Sequence, residues 1–155
     1  VKWDGAPAIF AGINPDTGKF FVAKKSVFNV SPKLYSTNKE IDADLSGTLN
    51  SKFKVALKEF SKLGIKGVLQ GDVCFTDDVD SETIDGVKYY TFQPNTIVYA
   101  VPVDSDLGKT INKANVGIVW HTTYTVSTLQ GMTASFGADI RGLKKPSSVW
   151  MDDAT

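Results

Sequence analysis

The chain has 155 residues, 42% of them hydrophobic, which is enough to bury one core and predicts a single domain over residues 1–155. Its 17 basic and 17 acidic residues balance, so any affinity for nucleic acid must come from a local basic patch rather than from net charge. No apolar run approaches the ~20 residues that cross a bilayer and no signal peptide is visible, so we expect a cytoplasmic protein with no membrane partner.

A β-hairpin is the first predicted element. Residues 8–13 and 20–24 are apolar runs typical of strands. The segment 14–18, Asn-Pro-Asp-Thr-Gly, is a turn signal between them, so the two strands are predicted to pair.

Two helices are predicted next. Thr37 and Glu40 have the spacing of a capping box, which predicts a short helix through Ala43. A longer helix is predicted over about residues 46–63, because apolar residues recur there at helical spacing and Gly64 follows as a stop signal. These apolar residues are Leu49, Phe53, Ala56, Leu57, Phe60 and Leu63.

Most of the later signals predict strands. Residues 68–75 form an apolar run, and Cys74 within it is typical of a buried residue rather than a nucleophile. As the single cysteine of the chain, Cys74 also excludes an internal disulfide and fits a reducing compartment. Further strands are predicted over residues 89–92, 96–101 and 116–124, a short helix over 107–114, and loops after Ser127.

An acidic stretch follows the strand at 68–75. Its residues are Asp77, Asp78, Asp80, Glu82 and Asp85. The stretch lacks the ligand spacing and the closing glutamate of a calcium-binding loop. We therefore expect a solvated loop here.

The residues before the first strand carry the strongest functional signal. Lys2-Trp3-Asp4-Gly5 leads directly into the apolar run. A lysine amine becomes a nucleophile when desolvation or nearby positive charge removes its proton, while Gly5 permits a tight turn and Asp4 can orient the lysine or a sugar. The alternative is a solvated turn. The segment resembles the nucleophile motif of the covalent nucleotidyltransferase superfamily of RNA ligases, DNA ligases and mRNA capping enzymes.

A second segment is similar to a motif of the RNA ligases. Ala23-Lys24-Lys25-Ser26 stands where those enzymes carry Ala-Lys-Arg-Thr-Gly. The resemblance implies that Lys24 and Lys25 hold phosphate or ribose, although lysine lacks the bidentate geometry of arginine. A solvated basic strand end is the alternative interpretation.

Gly71 and Asp72 resemble the Gly-Glu pair that the superfamily carries on an apolar strand beyond a helix. The resemblance implies that Asp72 contacts the ribose hydroxyls or helps to hold a metal ion. Because an unpaired charge is costly to bury, a carboxylate in an apolar strand also favours a functional position over a core position.

The aromatic residue that stacks on adenine in this superfamily has two candidates, Phe92 and Trp120. An aromatic residue in a strand is more often part of the core than a platform for a base. His121, the single histidine, is either a hydrogen-bonded structural residue or part of the lining of the nucleotide pocket.

Two later motifs of the superfamily do not match. Val116 stands where a Glu-Gly-Ile/Val strand has its glutamate, and Pro146 follows Lys144-Lys145 where a Lys-X-Lys strand is needed. We expect both motifs to lie after Thr155. The chain would then be the amino-terminal part of a nucleotidyltransferase domain, incomplete at both ends.

The resemblance is closest to bacteriophage-type RNA ligases. It implies an α+β fold in which antiparallel sheets and packed helices enclose a nucleotide groove. This is the nucleotidyltransferase fold of the ligases, which is similar to ATP-grasp. The resemblance also implies an enzyme that uses ATP and Mg²⁺, forms a covalent lysyl-AMP at Lys2 and seals nucleic-acid ends. The match at Ala23-Lys24-Lys25 favours RNA over DNA. The alternatives are a nucleic-acid-binding or structural domain that has lost the chemistry, and a guanylyl-transferring capping enzyme.

Overall fold

The computed structural model describes residues 8–24, 33–94, 98–125 and 133–153. Over these residues the fold is α+β, as predicted, with two sheets and three helices. The helices are α1 (Asn38–Asp44), α2 (Gly47–Phe60) and α3 (Asp106–Lys113). The strands are β1 (Ala8–Ile13), β2 (Phe20–Ala23), β3 (Val68–Phe75), β4 (Asp80–Ile84), β5 (Val87–Phe92), β6 (Tyr99–Pro102), β7 (Val116–Thr125), β8 (Thr133–Phe136) and β9 (Val149–Asp153).

The larger sheet has the strand order β2-β1-β3-β7-β8, and β9 pairs with the first half of β7. Its neighbouring strands are antiparallel except for β7 and β9, which run parallel. The smaller sheet is antiparallel in the order β4-β5-β6. The predicted hairpin of β1 and β2 is confirmed, and β3 follows the predicted residues 68–75.

Helix α2 covers one face of the larger sheet, and the main core lies between them. Phe53 and Phe60 are seven residues apart, so they lie on the same side of the helix, and both are fully buried. The ring centroid of Phe60 lies 5.2 Å from that of Trp120 on β7. Ile9 on β1 and Val73 on β3 complete this layer.

The opposite face of the larger sheet carries two separate apolar clusters. The first contains Phe10, Phe21, Ala23, Val68 and Tyr124. The second contains Cys74, Phe75, Phe92, Ile111 and Val119, with residues of β5, β6 and α3 packed on the sheet. Because Val68 belongs to the first cluster and Cys74 to the second, positions 70 and 72 of β3 lie between the two clusters.

The helix predicted from Thr37 and Glu40 is confirmed as α1, with Glu40 bonded to the residue before the N-cap. Thr37 is the N-cap residue, and its hydroxyl accepts a hydrogen bond from the backbone N–H of Glu40 at 3.2 Å. The Glu40 carboxylate in turn accepts a hydrogen bond from the backbone N–H of Ser36 at 3.2 Å. Two backbone donors at the start of the helix are therefore satisfied.

The prediction of a solvated loop was wrong for residues 80–84, which form β4 and pair with β5. Asp85 and Gly86 connect the two strands with φ angles of 50° and 80°. Positive φ at both central residues is the geometry of a type I′ turn, for which Asp-Gly is a preferred sequence. All five side chains of β4 are exposed, which explains why the acidic composition did not indicate a strand.

The prediction of loops after Ser127 was wrong for β8 and β9. Val149 of β9 is buried and aligns with Val116 of β7 in parallel register. Both strands are short, at four and five residues, so neither produces a readable alternation.

Glu59 is a buried carboxylate of α2 that joins the helix to the chain around β7 and β9. Its carboxylate accepts hydrogen bonds from Asn115 and Lys62, both at 3.4 Å, and also from Ser148. Burial acts to raise the pKa of Glu59, but these hydrogen bonds and the charge of Lys62 outweigh it, so the pKa is lowered. The ionised form is thus favoured in the folded protein.

We expect Glu59→Gln to lower the free energy of unfolding by about 1–3 kcal/mol at neutral pH, because amide donors replace a charged acceptor. The lowered folded-state pKa stabilises the protein above the unfolded pKa, and this contribution is lost as the pH falls through the folded value. Urea unfolding at about pH 7 and about pH 3.5 should therefore show a difference between the two proteins that shrinks in acid. Glu82→Gln, on the exposed face of β4, is the matched control. A difference independent of pH would contradict this role.

Candidate functional site around Asp72

Asp72 lies in the middle of β3, the strand between β1 and β7. Its cross-strand partners are Ala8 on β1 and Val119 on β7. Only 9% of the residue is exposed, and its side chain lies on the sheet face opposite α2, between the two apolar clusters. The sequence therefore places one carboxylate in an apolar strand, and the fold presents it on the face that the long helix leaves uncovered.

Gly71 is required by packing on the other face. A Cβ atom at this position would lie 2.7 Å from the carbonyl oxygen of Val119 and 2.9 Å from Cε3 of Trp120. The missing side chain lets the indole of Trp120 cover the strand. The glycine of the Gly-Asp pair thus has a structural cause that is independent of any ligand.

A β-bulge in β7 brings His121 to Asp72. Trp120 pairs with Gly71 and Thr122 pairs with Gln70, so His121 is an extra residue between two consecutive pairs. Its Nε2 lies 3.5 Å from Oδ1 of Asp72, and its Nδ1 lies 2.7 Å from the hydroxyl of Thr122. The imidazole therefore bridges a carboxylate and a hydroxyl on one face of the sheet.

A second polar pair lies beside these residues. The hydroxyl of Tyr124 donates a hydrogen bond to the side-chain oxygen of Gln70 at 2.9 Å. The Tyr124 ring centroid lies 5.4 Å from that of Phe10, and burial raises the pKa of this tyrosine. We call the set of Gln70, Asp72, His121, Thr122 and Tyr124 the polar patch.

The negative charge of Asp72 also acts along β3. Burial raises the pKa of Cys74 to about 12, and the charge of Asp72 contributes to the increase. Cys74 therefore stays a thiol at neutral pH, as its predicted role as a buried residue requires.

The polar patch supplies a carboxylate, an imidazole and hydroxyl groups. A carboxylate of low exposure accepts strong hydrogen bonds from sugar hydroxyls and can take one position around a hydrated cation. Within the described part of the chain, no group of three or more His, Cys, Asp and Glu side chains is arranged to hold a metal ion. A cation at Asp72 would therefore need further oxygen atoms from a bound substrate or from water to complete its coordination.

The structure separates several of the residues that sequence analysis grouped with Asp72. Trp120 is fully buried on the α2 face, so its ring has no free surface for a base. Lys24 follows β2 and its charge helps to lower the pKa of Asp44 at the end of α1, after larger contributions from Tyr35 and Lys33.

Phe92 of β5 packs against the face of the larger sheet that carries Asp72, but it lies between other aromatic rings. Its centroid lies 5.2 Å from that of Phe75 and 5.5 Å from that of Tyr99. With 4% of its surface exposed, it supports the wall of the second cluster rather than offering a stacking platform. Lys2, Asp4, Gly5 and Lys25 lie outside the described residues.

A family model described as a family of unknown function (DUF6267) matches residues 1–155. The chain belongs to this family. No curated protein and no solved structure matches the chain. Within the described ranges, no helix of this DUF6267 protein combines the length and the apolar character that crossing a bilayer requires.

Sequence analysis did not identify Gln70, Thr122 and Tyr124 as members of the patch. Gln70 could have been found, because it is two residues from Asp72 in a strand and therefore shares its face. The two β7 residues could not, since the bulge at His121 changes the alternation of β7 and has no signal in the sequence.

We expect Gly71→Ala to lower the free energy of unfolding by about 1–3 kcal/mol, because the new methyl group overlaps the Val119 carbonyl and the Trp120 ring. Chemical denaturation gives this value directly. Gly142→Ala is the matched control, since a Cβ there meets nothing within 4 Å, and it should change stability by less than about 0.5 kcal/mol. Equal stabilities of the two variants would disprove the packing explanation for Gly71.

Proposed function

We propose that this protein is an ATP-dependent nucleotidyltransferase similar to RNA ligases, in which Lys2 attacks ATP and the adenylyl group passes to a nucleic-acid end. One observation carries the proposal. Ala8, the first residue of the strand that follows Lys2-Trp3-Asp4-Gly5, is the cross-strand partner of Asp72. The strand that begins six residues after Lys2 therefore starts beside Asp72.

Chain length limits how far apart the two motifs can be. Lys2 precedes Ala8 by six residues, and a fully extended chain spans at most ~3.6 Å per residue, or roughly 22 Å over this distance. A less extended segment would bring Lys2 closer to Ala8, the cross-strand partner of Asp72. The register of β1 against β3 thus supports a common site.

The polar patch suits the sugar of a nucleotide. In this proposal Asp72 accepts hydrogen bonds from the ribose hydroxyls, and His121, 3.5 Å away, fixes the orientation of the carboxylate. The low exposure of Asp72 strengthens such hydrogen bonds, because less water competes for the carboxylate. The ring of Tyr124 packs with Phe10 and gives the patch one apolar side.

The proposed chemistry is a nucleophilic substitution at the α-phosphate. The unprotonated Nζ of Lys2 forms a bond to the α-phosphorus, the bond from phosphorus to the bridging oxygen of the β-phosphate breaks, and pyrophosphate leaves. The amine loses a proton, and a phosphoramidate of AMP remains on the lysine. An oxygen of a 5′-phosphate then bonds to the adenylyl phosphorus while the P–N bond breaks and the Lys2 amine takes up a proton. A 3′-hydroxyl finally loses its proton and bonds to the phosphorus of that 5′-phosphate, AMP leaves, and the strand is sealed.

The single carboxylate of the patch fits Mg²⁺ that arrives with ATP. Mg²⁺ usually keeps several waters and binds through one or two carboxylates plus the substrate phosphates. Asp72 would supply the protein ligand, directly or through water, and the ion would neutralise phosphate charge. Binding of Mg²⁺ in this way does not require a cluster of three or more protein ligands in the described part of the chain.

Lys24 does not support the transfer reaction, which leaves as the alternative a nucleic-acid-binding domain that keeps the fold without that reaction. The charge of Lys24 acts on Asp44 at the end of α1 rather than on the polar patch, so it does not support a phosphate contact there. The covalent intermediate separates the two proposals.

We expect the full-length protein to take up label from α-labelled ATP in the presence of Mg²⁺, as an acid-labile and alkali-stable adduct. Lys2→Ala should abolish the label, because the nucleophile is missing. Lys19→Ala, at an exposed position in the turn between β1 and β2, is the matched control and should label normally. Labelling that persists in Lys2→Ala, or none in the wild type, would rule out the proposal, and preferential labelling by GTP would indicate a capping enzyme.

We expect Asp72→Asn to slow adenylylation more than tenfold, a loss of about 1.4 kcal/mol or more in transition-state stabilisation, with an unchanged melting temperature. Asp72→Glu restores the residue type of the superfamily and should retain the reaction. If Asp72 is instead a structural partner of His121, activity and melting temperature should fall together in Asp72→Asn. A stable and fully active Asp72→Asn protein would remove this residue from the proposed site.

A further inference from the structure

A basic cleft lies along the outer edge of β9. It has a volume of about 350 Å³, and its lining includes Lys109 and Lys113 on α3 and Lys145 in the segment before β9. In the described part of the chain β9 pairs with β7 alone, so its other edge is open to the cleft. The volume is within the range of small-molecule sites and can hold part of a nucleotide.

The lysines of this cleft form no ion pair with the part of the chain that the structure describes. Lys109 and Lys113 are four residues apart and therefore lie on the same side of α3. They and Lys145 are exposed, and none forms an ion pair with a described residue. No acidic side chain is among the described residues that line the cleft. Three like charges around one cavity favour an anionic ligand.

The floor of the cleft is apolar and partly aromatic. Val149, Trp150 and Met151 of β9 line it, and the latter two are half-buried. The Trp150 ring stacks on Phe75 at a centroid distance of 6.3 Å and an interplanar angle of 22°. An indole that is held in place by packing loses little entropy when a further flat ring stacks on it. Such a floor favours binding of an anion that carries bases over binding of a simple anion, because the bases can stack on the indole.

The register of the sheet connects the cleft to the polar patch. Val119 on β7 is paired with both Asp72 and Asp152, and Asp152 directly follows Met151 at the cleft. Asp72 on β3 and Asp152 on β9, at the end of the cleft, are therefore two strand spacings apart, or about 10 Å. A ligand along β9 would extend toward the face that carries the patch.

We propose that this cleft binds single-stranded nucleic acid, with phosphates at Lys109, Lys113 and Lys145 and a base stacked on Trp150. That the bound strand is the acceptor of the adenylyl group rests on the function proposed above, whereas the binding does not depend on the transfer reaction. Charge complementarity and the aromatic floor together select a polynucleotide over an acidic peptide.

Fluorescence anisotropy of a labelled single strand of about 12 nucleotides, titrated with the full-length protein at several salt concentrations, tests the binding. Because each phosphate contact on a single strand contributes about 0.7 to the slope of log K against log salt, replacing the three lysines by glutamine should reduce this slope by about 2. A matched triple variant with the same change of charge should leave the slope nearly unchanged. Its substitutions, all at exposed lysines outside the cleft, are Lys19→Gln, Lys39→Gln and Lys58→Gln.

Trp150→Leu tests the stacking while keeping apolar contact with Phe75. It should weaken binding by roughly fivefold or more with little change in the salt slope, since base stacking is not a charge contact. Melting temperatures of all variants establish that they remain folded. Separate titrations with RNA, DNA and poly-glutamate identify the ligand, and RNA should bind at least as tightly as DNA.

The inference is overturned if the wild-type protein does not bind the strand, if both triple variants weaken binding equally, or if poly-glutamate binds as tightly as nucleic acid. These results differ from a failure of the proposed enzyme function. A protein that binds through the cleft but takes up no labelled nucleotide refutes the transfer reaction and retains the cleft. A protein that is labelled on Lys2 but binds independently of the three lysines refutes the cleft and retains the reaction.

Discussion

The contact between the Trp120 indole and the bare backbone of Gly71 fixes the centre of the larger sheet. No side chain fits at position 71, since a Cβ there would lie 2.9 Å from the indole. The pairing of these residues sets the register of β3 against β7, and the bulge that follows it turns His121 toward Asp72. A packing constraint on the α2 face therefore lies directly beside the bulge that shapes the polar patch on the other face.

The surroundings of Asp72 make a buried carboxylate tolerable. It lies between two apolar clusters, where an isolated charge would cost several kcal/mol, yet it has His121 beside it and retains some exposure. The same low exposure means that a ligand hydroxyl at this carboxylate competes with little water. The position thus favours a functional role, and the charge of Asp72 adds to the burial that raises the pKa of the neighbouring Cys74.

Local signals in the sequence predicted much of the fold. The turn after β1, the helix start at Thr37 and the periodicity of α2 each depend on residues close together in the chain, and each is confirmed. The strand β4 was missed because its side chains are all exposed, so its acidic composition resembled a loop. The Asp85-Gly86 turn was the signal that could have revealed the hairpin.

The candidate site was less predictable, because it depends on contacts between distant segments. Asp72 stood out as a carboxylate in an apolar strand, but the bulge that brings His121 to it depends on the pairing of β3 with β7, which are far apart in the sequence. Trp120, which the resemblance offered as a stacking residue, lies fully buried under α2, on the face opposite Asp72. A motif identifies residue types, whereas the face that each residue occupies is set by the register of the folded sheet.

Helix α3 separates two surfaces of opposite charge, and this arrangement limits the path that a bound polyanion can follow from the basic cleft. On one side of the helix lie Lys109 and Lys113, and on the other Asn112 lines a second cavity together with Asp77 and Asp80. A polyanion is attracted to the first surface and repelled by the second, so the balance of charges over the whole chain does not argue against binding nucleic acid. Because the acidic surface blocks the far side of α3, the favourable path for a strand runs along the edge of β9. That edge lies beside β7, which forms one side of the polar patch.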